Sequence, residues 1–259
     1  MKTKPISIAL LAALSMLLAG VVTLSARGNG ALASASDITA SRPGSGSGSI
    51  VGRVRFEGQL PKPTHISMSA DPSCVKLHPG SASSEDYVTG SGGTLGNVVV
   101  FVSEGLGNRS FDVPTEPVVV EQRGCMYQPH VLALRANQKI RMVNSDSTTH
   151  NVHPTPANNR EWNKAEPAGS ALEETFAREE IAIPVKCNVH PWMRSYIAVF
   201  KHPFFAVTSK DGSFDLSNVP PGEYTVQAWH EKLGTTTQKI TVLAGQSQNI
   251  DFVFKSSGH

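Results

Sequence analysis

From residue 50 to the end of the chain, short stretches recur in which apolar and polar residues alternate, each bounded by Gly, Pro, Asn or Asp. A two-residue period is that of a strand with one buried face. The first such run is Ile50-Val51-Gly52-Arg53-Val54-Arg55-Phe56, closed by a turn at Glu57-Gly58, and the second, 97–103, places Val98, Val100 and Val102 on one face. Between them lies a polar, Ser-rich loop holding Cys74 and His78. Further on, Ile181, Ile183, Val185 and Cys187 alternate with Ala182, Pro184 and Lys186, and a strand over 195–200 follows at once. Phe205-Ala206-Val207-Thr208 leads through the hairpin turn Lys210-Asp211-Gly212 into Ser213-Phe214-Asp215-Leu216. Val219-Pro220-Pro221-Gly222 is another turn, before Tyr224-Thr225-Val226-Gln227-Ala228-Trp229. No segment of this part has helical periodicity of useful length, so the expected fold is all-β.

The beginning of the chain differs. Lys2 and Lys4 precede an apolar run over 6–24, and Ala31-Leu32-Ala33 follows as a small-residue cleavage signal. Residues 1–33 therefore read as a secretory signal peptide. The run is also long enough to span a bilayer, which leaves an uncleaved anchor as the alternative. No Cys stands near it, which excludes a lipoprotein anchor. Residues 34–49 are rich in Ser and Gly and form a tether. Roughly 210 residues remain, enough for two β-sandwiches. Removing 1–33 takes Lys2, Lys4 and Arg27 and no acid, so the formal charge of +2 becomes −1. That leaves no basic excess to attract nucleic acid.

The chemistry concentrates in Cys187-Asn188-Val189-His190-Pro191-Trp192-Met193, together with His150 in Thr148-Thr149-His150-Asn151-Val152-His153. Cys187 ends an apolar strand face and points inward. A tight turn, with Pro191 biasing His190 away from helical dihedrals, brings His190 and Met193 back toward it. One thiolate, two imidazoles and one thioether favour copper, with Met193 as a weak axial ligand of a His₂Cys plane. Zinc sites are built from Cys, His and carboxylates, so the Met argues against zinc. Three cysteines are an odd number for an exported chain. Cys187 as a ligand accounts for one. Cys74 and Cys125 either pair in an oxidising compartment or stay apart, and the sequence leaves both open.

Residues 124–200 resemble the cupredoxins, most closely the amicyanin-like, methylamine-utilisation type of blue copper protein. Tyr127-Gln128-Pro129, Met142-Val143-Asn144, His150-Asn151-Val152-His153 and the Cys-x-x-His-x-x-Met loop carry the resemblance. It implies equatorial ligands His150, Cys187 and His190, an axial Met193, and an Asn151 that ties the two ligand loops together. Residues 154–174 have little regular pattern and depart from the family. The Asp-Gly turn, the Phe strand and Pro-Pro-Gly-x-Tyr after residue 202 are similar to the carboxypeptidase regulatory-like module, a transthyretin-like sandwich. That family begins with a Gly-x-Val strand and a strand like 97–102, both of which here precede the copper region. The expected architecture is thus a cupredoxin Greek-key β-sandwich over 112–201 and a second, smaller transthyretin-like β-sandwich made from 50–111 and 202–255. Two sandwiches in series behind an N-terminal extension are the alternative.

These readings point to an exported, periplasmic or extracellular type 1 copper protein with one copper per chain. It would carry single electrons to or from a redox partner protein, touching a membrane only through an uncleaved N-terminal segment. A copper chaperone or store, or an adhesive β-sandwich with an accessory copper site, are the alternatives. No exposed Met or His cluster suits metal release. A multicopper oxidase needs His beside the Cys and His-x-His pairs; Lys186 and Asn188 flank Cys187 and no His-x-His occurs, so no enzyme is expected. His230-Glu231 lacks the second His of a zinc protease. His130 and His153 are either neighbours of the copper or exposed. As the middle ligand of a short loop, His190 is expected to present its ring edge to solvent, with Pro191 and Trp192 as a docking rim.

Overall fold

The computed structural model describes residues 46–78 and 82–256. The signal-peptide or anchor segment and most of the tether lie outside the described residues.

The chain enters with β1 (Gly48–Glu57), then a small hairpin of β2 (His65–Ile66) and β3 (Ala82–Ser83) that brackets the short helix α1 (Pro72–Leu77), then β4 (Val99–Glu104). A block of strands follows: β5 (Val118–Gln122), β6 (Tyr127–Gln128), β7 (Val131–Arg135), β8 (Lys139–Asn144) and β9 (His150–Pro154). It continues through β10 (Lys164–Glu166), β11 (Ala171–Thr175), β12 (Glu180–Lys186) and β13 (Arg194–Phe200). The last strands are β14 (Phe205–Val207), β15 (Ser213–Val219), β16 (Gly222–His230), β17 (Gly234–Val242), β18 (Ser247–Asn249) and β19 (Phe252–Lys255). The described residues are all-β apart from short helical turns.

The middle block makes two sheets, β10-β9-β12-β13-β7 and β11-β8-β5-β6, facing each other across one core. The remaining strands make a second sandwich. Here β1 pairs with β15, β18 and β19, and β4 lies between β14 and β16. Strands from before and after the block 118–200 therefore share both sheets. Gly52 permits this closure, because a Cβ there would lie 1.9 Å from the Ile250 carbonyl oxygen.

The alternation along three strands explains how the two sandwiches meet. In β4 and the residue before it, Val98, Val100 and Val102 enter the core of the second sandwich, while Val99 and Phe101 turn the other way. In β7 and β13, Leu132, Leu134, Ile197 and Val199 enter the core of the first, leaving Val131, Ala198 and Phe200 on the opposite face. These leftover faces pack together, with the Phe101 and Phe200 rings 4.9 Å apart and Phe200 stacked on Phe205 at 4.7 Å. Strands covered on both faces read as continuous apolar runs, as Val98-Val99-Val100-Phe101-Val102 does.

Three details differ from the sequence reading. The alternation over 181–187 holds from Ile183 onward, but Ala182 (φ +65°) sits at a register shift between Glu180 and Ile183, so Ile181 leaves the Cys187 face and packs between the sandwiches. The weakly patterned 154–174 contains β10 and part of β11. The Ser-rich loop contains α1, capped by Asp71, whose side chain accepts from Ser73 N, with Pro72 at the first position. Met68, Cys74 and Ala82 from this excursion are buried in the same core as Tyr127, Phe176 and Met193, so it covers the first sandwich rather than extending the second.

Candidate metal centre

His150 opens β9, and Cys187 immediately follows β12. β9 pairs with β12 through Val185↔Pro154 and Lys186↔His153, which draws the two strand ends to one point. The loop 187–193 closes on itself: Met193 N donates to His190 O (2.9 Å) and Cys187 N to Met193 O (3.3 Å). Asn151 ties the strands together, its Oδ1 accepting from Asn188 N (2.6 Å) and Val189 N (3.3 Å) and lying 3.3 Å from Cys187 Sγ. Tyr127 braces the same junction by donating from its hydroxyl to Asn151 O at 2.6 Å.

The result is a buried donor cluster. His150 Nδ1 and His190 Nδ1 are 2.9 Å apart, and Cys187 Sγ is 3.9 Å from His190 Nδ1. One donor atom from each of the three residues falls within 4.8 Å of the others. His150, Cys187, His190 and Met193 are 0%, 3%, 1% and 0% exposed. Met193 lies in the same core cluster as Cys187.

Each imidazole has its far nitrogen held by a carboxylate. His150 Nε2 is 2.9 Å from Asp146 Oδ2, and Asp146 in turn accepts from Gly124 N (2.6 Å) and Cys125 N (2.7 Å). His190 Nε2 is 3.0 Å from Asp71 Oδ2, which also accepts from Thr148 Oγ1 at 3.0 Å. A carboxylate accepts only, so each Nε2 carries a proton and each Nδ1 faces the cluster. This is how protein metal sites fix the tautomer of a His ligand and raise its basicity.

The electrostatics follow. Hydrogen bonding from His190 is the main cause that holds Asp71 down at about 2. Burial alone would push His150 down, but Asp146 and the Cys187 sulfur beside it raise it to about 9. Burial alone would push the Cys187 thiol up; His150 and N–H groups of Asn151, His190 and Val189 bring it below its ordinary value. Both shifts favour an imidazolium beside a thiolate, the form of sulfur that binds a soft metal ion. Behind His150, Glu166 is 1% exposed and burial raises it to about 7; one of its oxygens accepts from Gln122 Nε2 and the other has no partner.

The structure brings together all the sequence-named candidates His150, Cys187 and His190, and buries Met193 beside them. It places His130 and His153 elsewhere. His130 is buried against Glu231 and the Arg194 carbonyl, and His153 bonds to Asn188 and Glu161.

One expectation is overturned. The His190 edge does not face solvent: Asp71 and the Cys74 sulfur, 3.7 Å from Nε2, cover it. Cys74 and Cys125 form a disulfide that fastens α1 over the site, and His78 Nε2 adds a bond to Gly124 O (2.5 Å). Trp192 is half-buried, its ring 5.0 Å from that of His190 and its Nε1 donating to Cys125 O (3.1 Å), so it belongs to the covering layer. Asp71 and Asp146 were missed by motif reading. Asp71-Pro72-Ser73 does carry a helix-start signal, but nothing local says which atom the capped helix will cover.

Residues 197–255 match the model of the carboxypeptidase regulatory-like domain. The match takes in the second half of β13 and all of β14 to β19, while β1 and β4, which complete their sheets, precede the ligand-bearing block. No curated protein matches the chain. Among solved structures it is similar to a copper-containing nitrite reductase from Thermus scotoductus SA-01, at 19% identity over 36% of this chain and 26% of that one, with a TM-score of 0.32. The chain thus spans about a quarter of that enzyme's length. It is also similar to a purple cupredoxin from Nitrosopumilus maritimus (20% identity, 32% of this chain and 98% of that one, TM-score 0.28). A Cu(I) form of an amicyanin mutant is similar as well (21% identity, 39% and 97%, TM-score 0.30). What the site can hold is decided by its own side chains.

Proposed function

We propose that this chain is an exported copper protein that holds one copper ion and passes single electrons, with no enzymatic reaction of its own. The observation that carries this reading is the convergence of Cys187 Sγ with the Nδ1 atoms of His150 and His190 in a buried cluster. The opposite ring nitrogens are occupied by Asp146 and Asp71. Sulfur, two imidazoles and a buried thioether are the donors that copper prefers over zinc, calcium or magnesium. Such a copper centre takes up and gives back one electron when bound. The protein's part is to keep both imidazoles in one tautomer, to exclude water, and to hold the ligands in place so that little rearranges on redox change. A disulfide-fastened cover suits retention of the metal rather than release, which favours the carrier over a chaperone or store. The disulfide also fits an oxidising compartment.

The test is to add Cu(II) to the metal-free protein and record the visible spectrum and metal content. One copper per chain with an intense thiolate-to-copper band is expected, and Cys187→Ser should lose that band. A colourless Cu(II) complex, or an unaltered spectrum in Cys187→Ser, defeats the proposal.

A further inference from the structure

We infer that a redox partner with an acidic surface docks over the sulfur side of the site, in the groove between the ends of β12 and β13, rather than at His190. This rests on the copper-carrier reading above. A carrier buried on all sides could not exchange electrons quickly, so the path of closest approach to solvent matters. At His190 that path is shut: the ring is 1% exposed, beneath Asp71, the Cys74–Cys125 disulfide and Trp192.

Cys187 has a different surrounding. It forms part of the wall of an open groove of about 540 Å³, whose other walls include Lys186, Asn188, Pro191, Arg194 and Tyr196. Lys186 and Arg194 are direct cross-strand partners, both exposed, and no carboxylate lines the groove. Neither cation makes an ion pair among the described residues. On its other side Arg194 shares a cavity with Glu85, Asp86 and Glu231, but these acids face His130 and Lys232, and Glu161 beyond Asn188 is engaged by His153. Two like charges placed opposite each other on a ladder disfavour the strand pair unless something outside neutralises them. Beside them Val189 is 54% exposed, an apolar contact on the same loop. A basic pair beside an apolar contact, at the strand ends that carry Cys187, fits a one-electron protein that is acidic around its own redox centre. One electron then leaves the reduced partner, which is oxidised, and reduces Cu(II) to Cu(I) through the Cys187 side; no bond breaks and no proton moves.

Charge reversal tests this. The copper-loaded full chain, Lys186→Glu, Arg194→Glu and the double variant are compared for visible spectrum and reduction potential. Their stopped-flow reduction is then measured at low and high ionic strength, with a reduced, acidic [2Fe–2S] ferredoxin as protein probe and hexaammineruthenium(II) as small cationic probe. Lack of colour in the parent would defeat the copper reading itself, independently of the kinetics. With colour and potential retained, the double variant should react with the ferredoxin about tenfold or more slowly at low salt, and salt should now speed the reaction instead of slowing it. Hexaammineruthenium(II), attracted by the new carboxylates, should not be slowed. A ferredoxin rate within about twofold of the parent overturns the docking site. An equal loss with both probes also overturns it, because the substitutions then act on the copper site itself and not on docking.

Discussion

Replacing Asp71 by Asn is the sharpest probe of how the covering layer tunes the site. Asn keeps the shape, can still cap α1 and can still accept from His190 Nε2, so the charge is what is removed. The carboxylate lies 3.0 Å from Nε2, which puts it about 7 Å from a metal held at Nδ1 across the ring. At an effective dielectric near 20, the additional positive charge of the oxidised state interacts with it by about 2 kcal/mol. At about 1.4 kcal/mol, or 59 mV, per tenfold change, that corresponds to about 100 mV. The Asp71 side chain is 19% exposed, so solvent takes part of this away, leaving about 60–100 mV. The Asp71→Asn variant should therefore keep its colour while its reduction potential rises by that amount, read in a spectroelectrochemical titration at pH 7. A shift below about 20 mV, or a downward one, would mean that Asp71 only caps the helix and that the charge argument is wrong.

Three further outcomes are expected. Met193→Gln should retain copper but lower the potential, because an oxygen donor favours Cu(II); an unchanged potential makes Met193 a core residue only. Breaking the 51-residue Cys74–Cys125 closure with Cys74→Ser and Cys125→Ser together should cost up to about 4 kcal/mol in urea unfolding of the full chain, and a loss below about 1 kcal/mol would mean the excursion holds without it. Because the folded state raises His150 to about 9, its contribution to the stability of the metal-free protein is complete below 6.5 and is lost as pH rises through about 9. The melting temperature of the metal-free parent should accordingly fall over that window more than that of Asp146→Asn, and copper uptake at pH 7 should release a proton; parallel melting curves would refute the assignment.

The sequence by itself determined the local parts. Two-residue alternation marks the strands because one face of each is buried, and the seven-residue run from Cys187 to Met193 names three donors without reference to the rest of the chain. His150 is legible by the same kind of local signal, at a strand start. Tertiary structure alone decided what closes the site. Asp71 meets His190 across 119 residues and Cys74 meets Cys125 across 51, and no periodicity encodes such pairings. An N-cap signal fixes where a helix starts, but not which face of the molecule it lies on. The same holds for β1 and β4, whose partners come from beyond residue 204; their patterns show that one face of β1 and both faces of β4 need cover but not what covers them. Burial of His190 therefore follows from non-local packing, where the free energy of a contact depends on neighbours that the local sequence does not contain.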